Sequence, residues 1–416
     1  MCRKKFKKYI LKPIFSCAAC VCCVLLSGIA YMSYTLPNDY HVIEGENLEL
    51  NAGLPISVTY MGEKSSDAGT KPLADERYQV ELKALGFIPI KQAGVSVIDE
   101  TSVAVLGKPF GIKIYTDGVM VVDIDSVDTE HGNQTPAADA GLKEGDLILS
   151  INGQRVYSNE DVAAIIESSG GAALKLQVMR NDQTLSMEIK PALSYSSGKY
   201  KTGIWVRDSS AGIGTLTFYS PSGKVVCGLG HGVCDVDTGE LLTLNSGELV
   251  DAEILGVSKG SNGNPGELKG RFKTGSIGPL IRNDETGVYA TCEMECDLNQ
   301  LTKIALKQEV TVGAAQILTT VDGESEPALY SCQIEKVAYN DSITKNMVIR
   351  VTDEALLQKT GGIVQGMSGS PIFQNGKLVG AVTHVFINDS TSGYAIFAEN
   401  MLKTVQSAAT EQKKAS

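Results

Sequence analysis

The sequence predicts a mainly β protein preceded by an N-terminal transmembrane helix. Residues 14–34 contain no charged side chain and are about long enough to cross a bilayer as a helix. From residue 37 onward, short runs of β-branched and aromatic residues alternate with Gly, Pro and Asn turns, and few stretches have a helical period. The chain is 43% apolar and 20% charged, which is typical of folded globular proteins. Its length of 416 residues predicts about two or three domains.

The start of the chain predicts a basic cytoplasmic tail (1–12) and a transmembrane signal-anchor (13–36). Positive charge is concentrated at residues 3–8, which indicates that the N-terminus lies in the cytoplasm. A cleaved signal peptide is the alternative, but its apolar core is usually shorter, and residues 31–34 are a poor cleavage site. Five of the ten cysteines lie in or beside the anchor, and the odd number left excludes a fully paired disulfide framework in the distal half.

Residues 37–101 are expected to form a β-rich linker region with an exposed polar loop at 62–75. No residue pattern in this region suggests chemistry. The net charge of −11 argues against binding of nucleic acid or anionic membranes by the soluble part. We therefore expect the functional residues to follow residue 101.

Residues 102–193 resemble a PDZ domain. The run Gly141–Ile148 has the Gly-Leu-x-x-Gly-Asp-x-Ile pattern common in PDZ domains of proteases, and residues 159–168 are expected to form an amphipathic helix. Residues 108–114 are expected to form the carboxylate-binding loop and the next strand. A peptide would add to this edge as a further strand, at Phe110, Gly111 and Ile112. The alternative is a closed PDZ domain that only braces the fold.

Residues 194–405 are expected to form two packed β-barrels with a cleft between them, followed by a frayed polar tail at 406–416. Many short β-patterned runs in this region end at turn residues. Asn375-Gly376 is the strongest candidate for a β-hairpin turn among them. The predicted fold of this region is a chymotrypsin-like double β-barrel.

A serine in a glycine-flanked turn is the strongest candidate for a catalytic residue. Ser368 lies in the sequence Gly-Met-Ser-Gly-Ser-Pro, which begins at Gly366. Small neighbours allow a turn in which the hydroxyl projects and the N–H groups of Gly366 and Ser368 form an oxyanion hole. Ser370 stands where the G-x-S-x-G elbow has its second glycine, which argues against an α/β-hydrolase. The alternative is an ordinary hairpin turn.

Of the four histidines, His231 has the sequence surroundings of a general base. Glycines on both sides leave room for its ring and predict an exposed position. His384 lies on an apolar strand, which favours a packed core histidine, whereas His41 and His131 follow the membrane segment and lie in a polar loop, respectively. The separation of 137 positions from His231 to Ser368 suits a base on one barrel and a nucleophile on the other.

The residue pattern alone does not identify the carboxylate that would complete the predicted triad. Asp353 stands 15 residues before Ser368, and three other aspartates lie closer to the histidine in sequence: Asp235, Asp237 and Asp251. A carboxylate at this place would orient the imidazole and stabilise its protonated form. Most aspartates are solvated surface groups, so the pattern does not choose among the four.

A zinc site is an alternative use of the histidine loop. One imidazole and four thiolates are available in two clusters, from Cys227, His231, Cys234, Cys292 and Cys296. The gaps between the cysteines are not those of a standard zinc module. If zinc bound His231, Ser368 would lose its base and the chain would be a structural scaffold.

Three stretches resemble the sporulation stage IV protein B peptidase family, namely residues 212–219, 228–232 and 361–371. In order and spacing, the similarity extends from the membrane segment to about residue 405. The resemblance implies a serine peptidase of the chymotrypsin clan with an N-terminal membrane anchor and a PDZ domain, and it implies no cofactor and no metal. The catalytic residues of the family correspond here to His231, Asp353 and Ser368.

The resemblance also implies a biological setting. The chain would be a membrane-anchored serine endopeptidase that is secreted across the forespore membrane and acts in the space between forespore and mother cell. It would cleave itself and a membrane-associated regulatory protein of an embedded complex, and so signal sigma factor activation during endospore formation. Self-cleavage would release it from the anchor. The alternatives are a catalytically inert PDZ adaptor and the zinc-stabilised scaffold.

Overall fold

The computed structural model describes residues 20, 23–48, 50, 55–61, 77–181, 183–295, 297–321 and 326–415. Residues 23–35 form a helix, α1, and no helix among the described residues is both long and apolar enough to span a bilayer. The predicted basic tail, residues 13–19, 21 and 22 of the predicted anchor, and the predicted polar loop at 62–75 lie outside the described residues.

A small mixed β-sheet follows α1 in the region predicted as a β-rich linker. Its strands are β1 (Asp39–Ile43), β2 (Ile56–Met61), β3 (Arg77–Ala84) and β4 (Ile88–Ile98). They lie in the order β1-β4-β3-β2, with β1 parallel to β4. His41 Nδ1 on β1 lies 2.8 Å from Glu399 Oε1, which links this sheet to the C-terminal helix.

The next region contains the elements expected of a PDZ domain and part of a barrel. In chain order they are β5 (Ser102–Val105), β6 (Pro109–Ile124), β7 (Val127–Thr129), β8 (Gly132–Gln134), α2 (Pro136–Asp139), β9 (Leu147–Ile151), β10 (Gln154–Arg155), α3 (Asn159–Ser168), β11 (Leu174–Arg180), β12 (Gln183–Ile189), β13 (Ala192–Leu193) and β14 (Tyr200–Lys201). Helix α3 begins at a capping box, because Ser158 Oγ accepts from Asp161 N and the Asp161 carboxylate accepts from Ser158 N. Val162 and Ile166 of α3 are buried against the strands.

The first barrel is a ring of six strands. After β6 come β15 (Ile204–Ser220), β16 (Val225–Gly228), β17 (Leu244–Ser258), β18 (Glu267–Asp284) and β19 (Gly287–Thr291). Strand β6 pairs with β17, and pairing continues through β18, β19, β16 and β15 back to β6. Its interior is apolar and includes Phe110, Ile112, Leu216, Leu249 and Val288.

The second barrel is also six-stranded and closed, in the order β21-β22-β23-β26-β25-β24. The elements after the first barrel are β20 (Thr302–Lys303), β21 (Gly313–Thr319), β22 (Ala328–Val337), β23 (Met347–Val351), α4 (Glu354–Thr360), β24 (Pro371–Gln374), β25 (Lys377–Phe386), β26 (Asp389–Phe397) and α5 (Ala398–Ala415), with 3₁₀ turns at Leu298–Gln300 and Lys307–Glu309. Asn375 and Gly376 have φ of +52° and +77° and form the two-residue turn between β24 and β25. The predicted hairpin at this position is therefore present.

Two features of the fold differ from the sequence-based expectation. The tail from residue 406 is not frayed but continues helix α5, because Ala408 is buried and Glu411 pairs with Arg282. The carboxylate-binding loop and strand predicted at residues 108–114 also do not belong to the PDZ domain. The first half of β6 is a strand of the first barrel, since it pairs with β17, and β5 pairs with the barrel strand β15.

Candidate active site

Ser368 lies in the loop that connects helix α4 to strand β24, residues 361–370, which we call the nucleophile loop. Gly366 and Gly369 have φ of +94° and +95°, in the left-handed region that favours glycine. A Cβ at position 369 would overlap Thr215 O, so the loop packs directly against strand β15. The structure therefore has a tight glycine-dependent turn at the predicted nucleophile.

Within residues 366–370 of this loop, the N–H groups of Gly366 and Ser368 have no acceptor among the described residues. Their neighbours do: the N–H groups of Met367 and Gly369 donate to backbone carbonyls at 3.1 Å and 2.7 Å. Because buried or half-buried N–H groups are nearly always paired, two unpaired donors in alternate positions indicate a site for a negative oxygen. They are the two donors that the sequence predicts for the oxyanion hole.

Neighbouring carbonyl groups set the direction of these two donors. In a trans peptide the N–H points away from the carbonyl of the same peptide plane. The carbonyl before Gly366 accepts from Leu268 N at 2.8 Å, and the carbonyl before Ser368 accepts from Ser370 N at 2.9 Å. Each bond orients one unpaired N–H, so the donors are oriented before any ligand binds.

His231 follows strand β16 in the loop that the sequence singled out. Its Nδ1 lies 2.8 Å from Gly232 O. Since a carbonyl can only accept, Nδ1 carries the proton and Nε2 is left as an acceptor, which is the tautomer that a general base requires. Burial lowers the pKa of His231 below its ordinary value, against a smaller opposing effect of the Gly232 carbonyl. The imidazole is therefore neutral at pH 7 and able to take a proton.

The serine and histidine loops come from different barrels and lie in contact. A Cβ at Gly369 would also approach Leu229 N, two residues before His231. The Ser368 hydroxyl donates to Thr383 O at 2.6 Å, and it forms no hydrogen bond with His231. The hydroxyl must therefore turn from Thr383 O towards the imidazole before it can react. Such loose resting geometry is common in the absence of substrate.

His384 covers the His231 ring, with the ring centroids 4.6 Å apart and the planes tilted by 35°. The prediction that His384 is a packed core histidine is wrong, because its side chain lies at the surface of the site beside His231. Partial burial, together with the nearby His231 and Lys345, lowers the pKa of His384 to about 4. It is therefore a neutral ring that shields His231 from water.

The structure does not bring Asp353 to His231. The Asp353 carboxylate caps helix α4 by accepting from Ala355 N and Leu356 N at 3.0 Å and 3.1 Å. Its second oxygen accepts from Ser331 N at 3.1 Å. The carboxylate therefore has three backbone donors, and its role in a triad stays a prediction that rests on the family resemblance.

The rival aspartates are also engaged elsewhere. Asp235 and Asp237 pair with the guanidinium of Arg207, at 2.5 Å and 2.7 Å. Asp251 lies over Gly275 on the neighbouring strand β18. Within the described residues no carboxylate forms a hydrogen bond with His231, and the Gly232 carbonyl orients its ring instead.

The predicted peptide-binding residues Phe110, Gly111 and Ile112 do not lie at a free edge, so that prediction is wrong. They pair with β15 on one side and with β17 on the other. Phe110 and Ile112 are buried inside the first barrel, and the Phe272 ring covers Gly111. Strand addition is impossible where both edges are already paired.

The edge beside α3 belongs to another strand. The first half of β15, Ile204–Asp208, pairs antiparallel with the second half of β6. Its opposite edge has no strand partner among the described residues, and α3 lies on that side, with Asn159 N donating to Asp208 Oδ2 at 2.9 Å. The strand-and-helix groove of this domain is therefore bordered by β15.

The predicted zinc ligands are not assembled in the part of the chain that the structure describes. No group of three or more potential metal-ligating side chains occurs among these residues. Cys227 is buried, and burial raises the pKa of its thiol. Cys296 lies outside the described residues.

Two threonines that the sequence analysis did not single out pack against the loop, and only Thr215 contacts the peptide between the two unpaired donors. Thr215 Oγ1 donates to Gly366 O at 2.8 Å, and Thr217 Oγ1 donates to Gly369 O at 2.7 Å. Both are buried on β15 and, being two residues apart on a strand, face the same side. The available signal was a pair of threonines alternating with the apolar residues Leu216 and Phe218 near the end of β15.

Two family models match parts of this chain. Residues 198–402 match the family model "SpoIVB peptidase S55", and residues 128–180 match a PDZ domain model. The chain is 31% identical over 156 residues to serine protease HTRA1A of Danio rerio, a match that covers 37% of this chain and 29% of that protein. It is 30% identical over 120 residues to the regulator of sigma-W protease RasP of Bacillus subtilis, with 28% and 26% covered.

The chain thus spans less than a third of the length of these curated relatives. Among solved structures, the HtrA-type protease AlgW with decapeptide shares 12% identity at a TM-score of 0.30. That match covers 73% of this chain and 65% of the other.

Proposed function

We propose that this chain is a serine endopeptidase in which Ser368 is the nucleophile and His231 the general base, because residues 198–402 match the SpoIVB peptidase S55 family model. The observation that carries this proposal is the nucleophile loop. Within residues 366–370, the N–H groups without acceptors among the described residues are those of Gly366 and Ser368, on either side of Met367. A loop that leaves these two donors unpaired is suited to stabilising a tetrahedral oxyanion.

The chemistry follows from the positions of these groups. The Ser368 hydroxyl turns from Thr383 O to His231 and gives its proton to Nε2 as Oγ attacks the peptide carbonyl. The carbonyl oxygen becomes negative and accepts from the two unpaired N–H groups. The imidazolium then protonates the leaving amine, and an acyl-enzyme remains on Ser368. Water, deprotonated by His231, hydrolyses the acyl-enzyme.

The Gly232 carbonyl supports this cycle by keeping the proton on Nδ1 of His231. A neutral carbonyl stabilises an imidazolium less than a carboxylate does, so this arrangement orients the base more than it raises its basicity. The assignment of Asp353 as the third catalytic residue is supported by the resemblance alone, since its carboxylate binds backbone N–H groups of helix α4 and Ser331.

The PDZ domain provides a module for peptide binding, and we place its docking edge on Ile204–Asp208 beside α3. A peptide would add as a strand to the edge of β15 that faces the helix. Hydrogen exchange can test this with a peptide selected from a display library for binding to the protein. Binding should slow exchange within 204–208 and leave 109–114 unchanged. Protection confined to 109–114 would contradict the proposed edge.

The biological setting is supported by the family and by the N-terminal sequence pattern. We propose that residues 13–36 anchor the chain with its N-terminus in the cytoplasm and its peptidase domain outside, between forespore and mother cell. There it would cleave itself and a membrane-associated regulatory protein, so that a sigma factor is activated during endospore formation.

The test of the proposed function is self-cleavage of purified protein, wild type against Ser368→Ala, together with labelling of Ser368 by a fluorophosphonate. We expect the wild type to be cleaved and labelled and the variant to be neither. An intact wild-type protein that is never labelled, under conditions where it binds peptide, would favour the PDZ adaptor.

A further inference from the structure

We infer that Thr215 is a positioning residue of the reaction, because its side chain orients the peptide plane that separates the two oxyanion donors. The inference rests on the proposed function and adds to it a residue that contacts neither the substrate nor the Ser368 hydroxyl. Thr215 lies on β15, the strand that extends from the PDZ domain into the first barrel.

The side-chain contact is specific to one peptide group. Thr215 Oγ1 donates to Gly366 O at 2.8 Å. The Gly366–Met367 peptide lies between the N–H of Gly366 and the N–H of Ser368, so its rotation changes the angle between the two donors. Gly366 has φ of +94° and no side chain to resist that rotation. The Met367 N–H holds one end of this peptide by donating to Val364 O at 3.1 Å, and the hydroxyl of Thr215 adds a restraint at the carbonyl end.

The main chain of the same residue joins the two catalytic loops. Thr215 N donates to Ser368 O at 2.9 Å, and Leu229 N donates to Thr215 O at 3.3 Å. Leu229 stands two residues before His231 and has a left-handed φ of +66°. Thr215 thus donates two hydrogen bonds to the nucleophile loop, from its N–H and its hydroxyl. Its carbonyl accepts one hydrogen bond from the histidine loop.

Burial makes the side-chain bond consequential. Thr215 is 2% exposed, so water cannot easily replace its hydroxyl if the side chain is changed. A buried carbonyl without a hydrogen-bond donor raises the free energy of the folded protein, so the Gly366 carbonyl would shift towards another donor. Movement of Gly366 O turns the central peptide and misaligns the hole, while the substrate-binding surfaces stay in place.

Thr217 is a matched control on the same face of the same strand. It is fully buried, and its Oγ1 donates to Gly369 O at 2.7 Å. The Gly369–Ser370 peptide follows Ser368 and does not lie between the two donors. Loss of the Thr217 hydroxyl should therefore lower stability about as much as loss of the Thr215 hydroxyl, without misaligning the hole.

The experiment compares Thr215→Val, Thr215→Ser and Thr217→Val in the full chain. The measurements are kcat and KM on a fluorogenic peptide, the rate of Ser368 labelling by a fluorophosphonate, and the midpoint of thermal unfolding. Loss of a whole oxyanion donor costs about 10²- to 10³-fold in kcat, so misalignment should cost Thr215→Val about 10- to 100-fold. KM should stay near its wild-type value, and labelling should slow in parallel with kcat.

Thr215→Ser retains the hydroxyl and should recover most of the rate, and Thr217→Val should match the thermal loss of Thr215→Val but keep a near-wild-type kcat. Wild-type kcat in Thr215→Val, or equal loss in Thr217→Val, would overturn the inference. Thr215→Ala, which also lacks the hydroxyl but adds no methyl, takes the place of the valine variant if that protein does not fold.

Ser368→Ala separates the two proposals. If Ser368→Ala still turns over substrate, the proposed function fails. If Ser368→Ala is inactive while Thr215→Val is fully active, only the positioning role fails.

Discussion

The nucleophile loop and the segment Phe110–Ile114 are both short, glycine-containing stretches that the sequence predicts to offer backbone N–H groups to a peptide. Within residues 366–370 of the loop, the N–H groups of Gly366 and Ser368 have no acceptor among the described residues. In the other segment, strands lie along both edges and the apolar side chains fill a barrel. A turn is specified by its own residues, whereas a free edge depends on which strands pack beside it.

The largest effect is expected at the loop itself. Ser368→Ala and His231→Ala should each lower turnover by about 10⁴-fold or more, because members of one catalytic unit fail together. Ser368→Ala should keep the fold, since its hydroxyl makes a single bond to Thr383 O. Peptide hydrolysis and thermal unfolding, measured on the same preparations, check both statements.

Ser370 offers a matched control two residues away. It is fully buried and donates to Thr319 Oγ1 at 3.0 Å, so Ser370→Ala should cost about 1 kcal/mol of stability and little activity. Hydrolysis that survives in Ser368→Ala and disappears in Ser370→Ala would move the nucleophile to Ser370.

In the segment Phe110–Ile114 we expect substitutions to lower the stability of the fold and not to act on peptide binding directly. Ile112→Asp puts a carboxylate without a partner inside the first barrel and should cost more than about 4 kcal/mol of unfolding free energy. Ile112→Val should cost about 1 kcal/mol. Denaturant unfolding measures both changes. A stable Ile112→Asp protein that labels Ser368 normally but no longer binds peptide would restore the edge predicted from sequence.

Asp353 sharpens the comparison, because the sequence resemblance and the observed contacts predict different results. On the contacts, Asp353→Asn keeps an acceptor for the N-terminus of α4 and should retain turnover within a few-fold. Asp353→Ala should lose about 0.5–2 kcal/mol of stability through the missing cap. Loss of kcat by orders of magnitude in a fully folded Asp353→Asn protein would show that the carboxylate reaches His231 during catalysis.

The smallest effect concerns the pH dependence of the site. Burial disfavours the charged imidazolium, so the pKa of His231 is lowered and the acid limb of kcat/KM should lie below about pH 6.5, the ordinary histidine value. His384→Ala uncovers the ring and reduces that burial, so the pKa of His231 should rise and the acid limb should shift to higher pH. An unchanged or downward-shifted limb in His384→Ala would contradict the shielding role of His384.

Much of the organisation was accessible from sequence because it depends on local patterns. The mainly β character follows from alternating apolar runs and turn residues, and the Asn375-Gly376 hairpin forms as predicted. The resemblance to the SpoIVB peptidase family is confirmed by the match over residues 198–402. The surface position of His384 was inaccessible, because an apolar strand pattern does not reveal that its ring covers another loop.

The sequence by itself determined the turn around Ser368, because the conformational freedom of Gly366 and Gly369 and the small size of their neighbours act within a few residues. It also determined the glycine-rich loop of His231. Only the tertiary structure decided that these loops meet, that Thr215 joins them, and that β15 in place of Phe110–Ile112 borders the groove beside α3. These outcomes depend on pairing between strands far apart in the chain, where burial of apolar faces selects one partner among many.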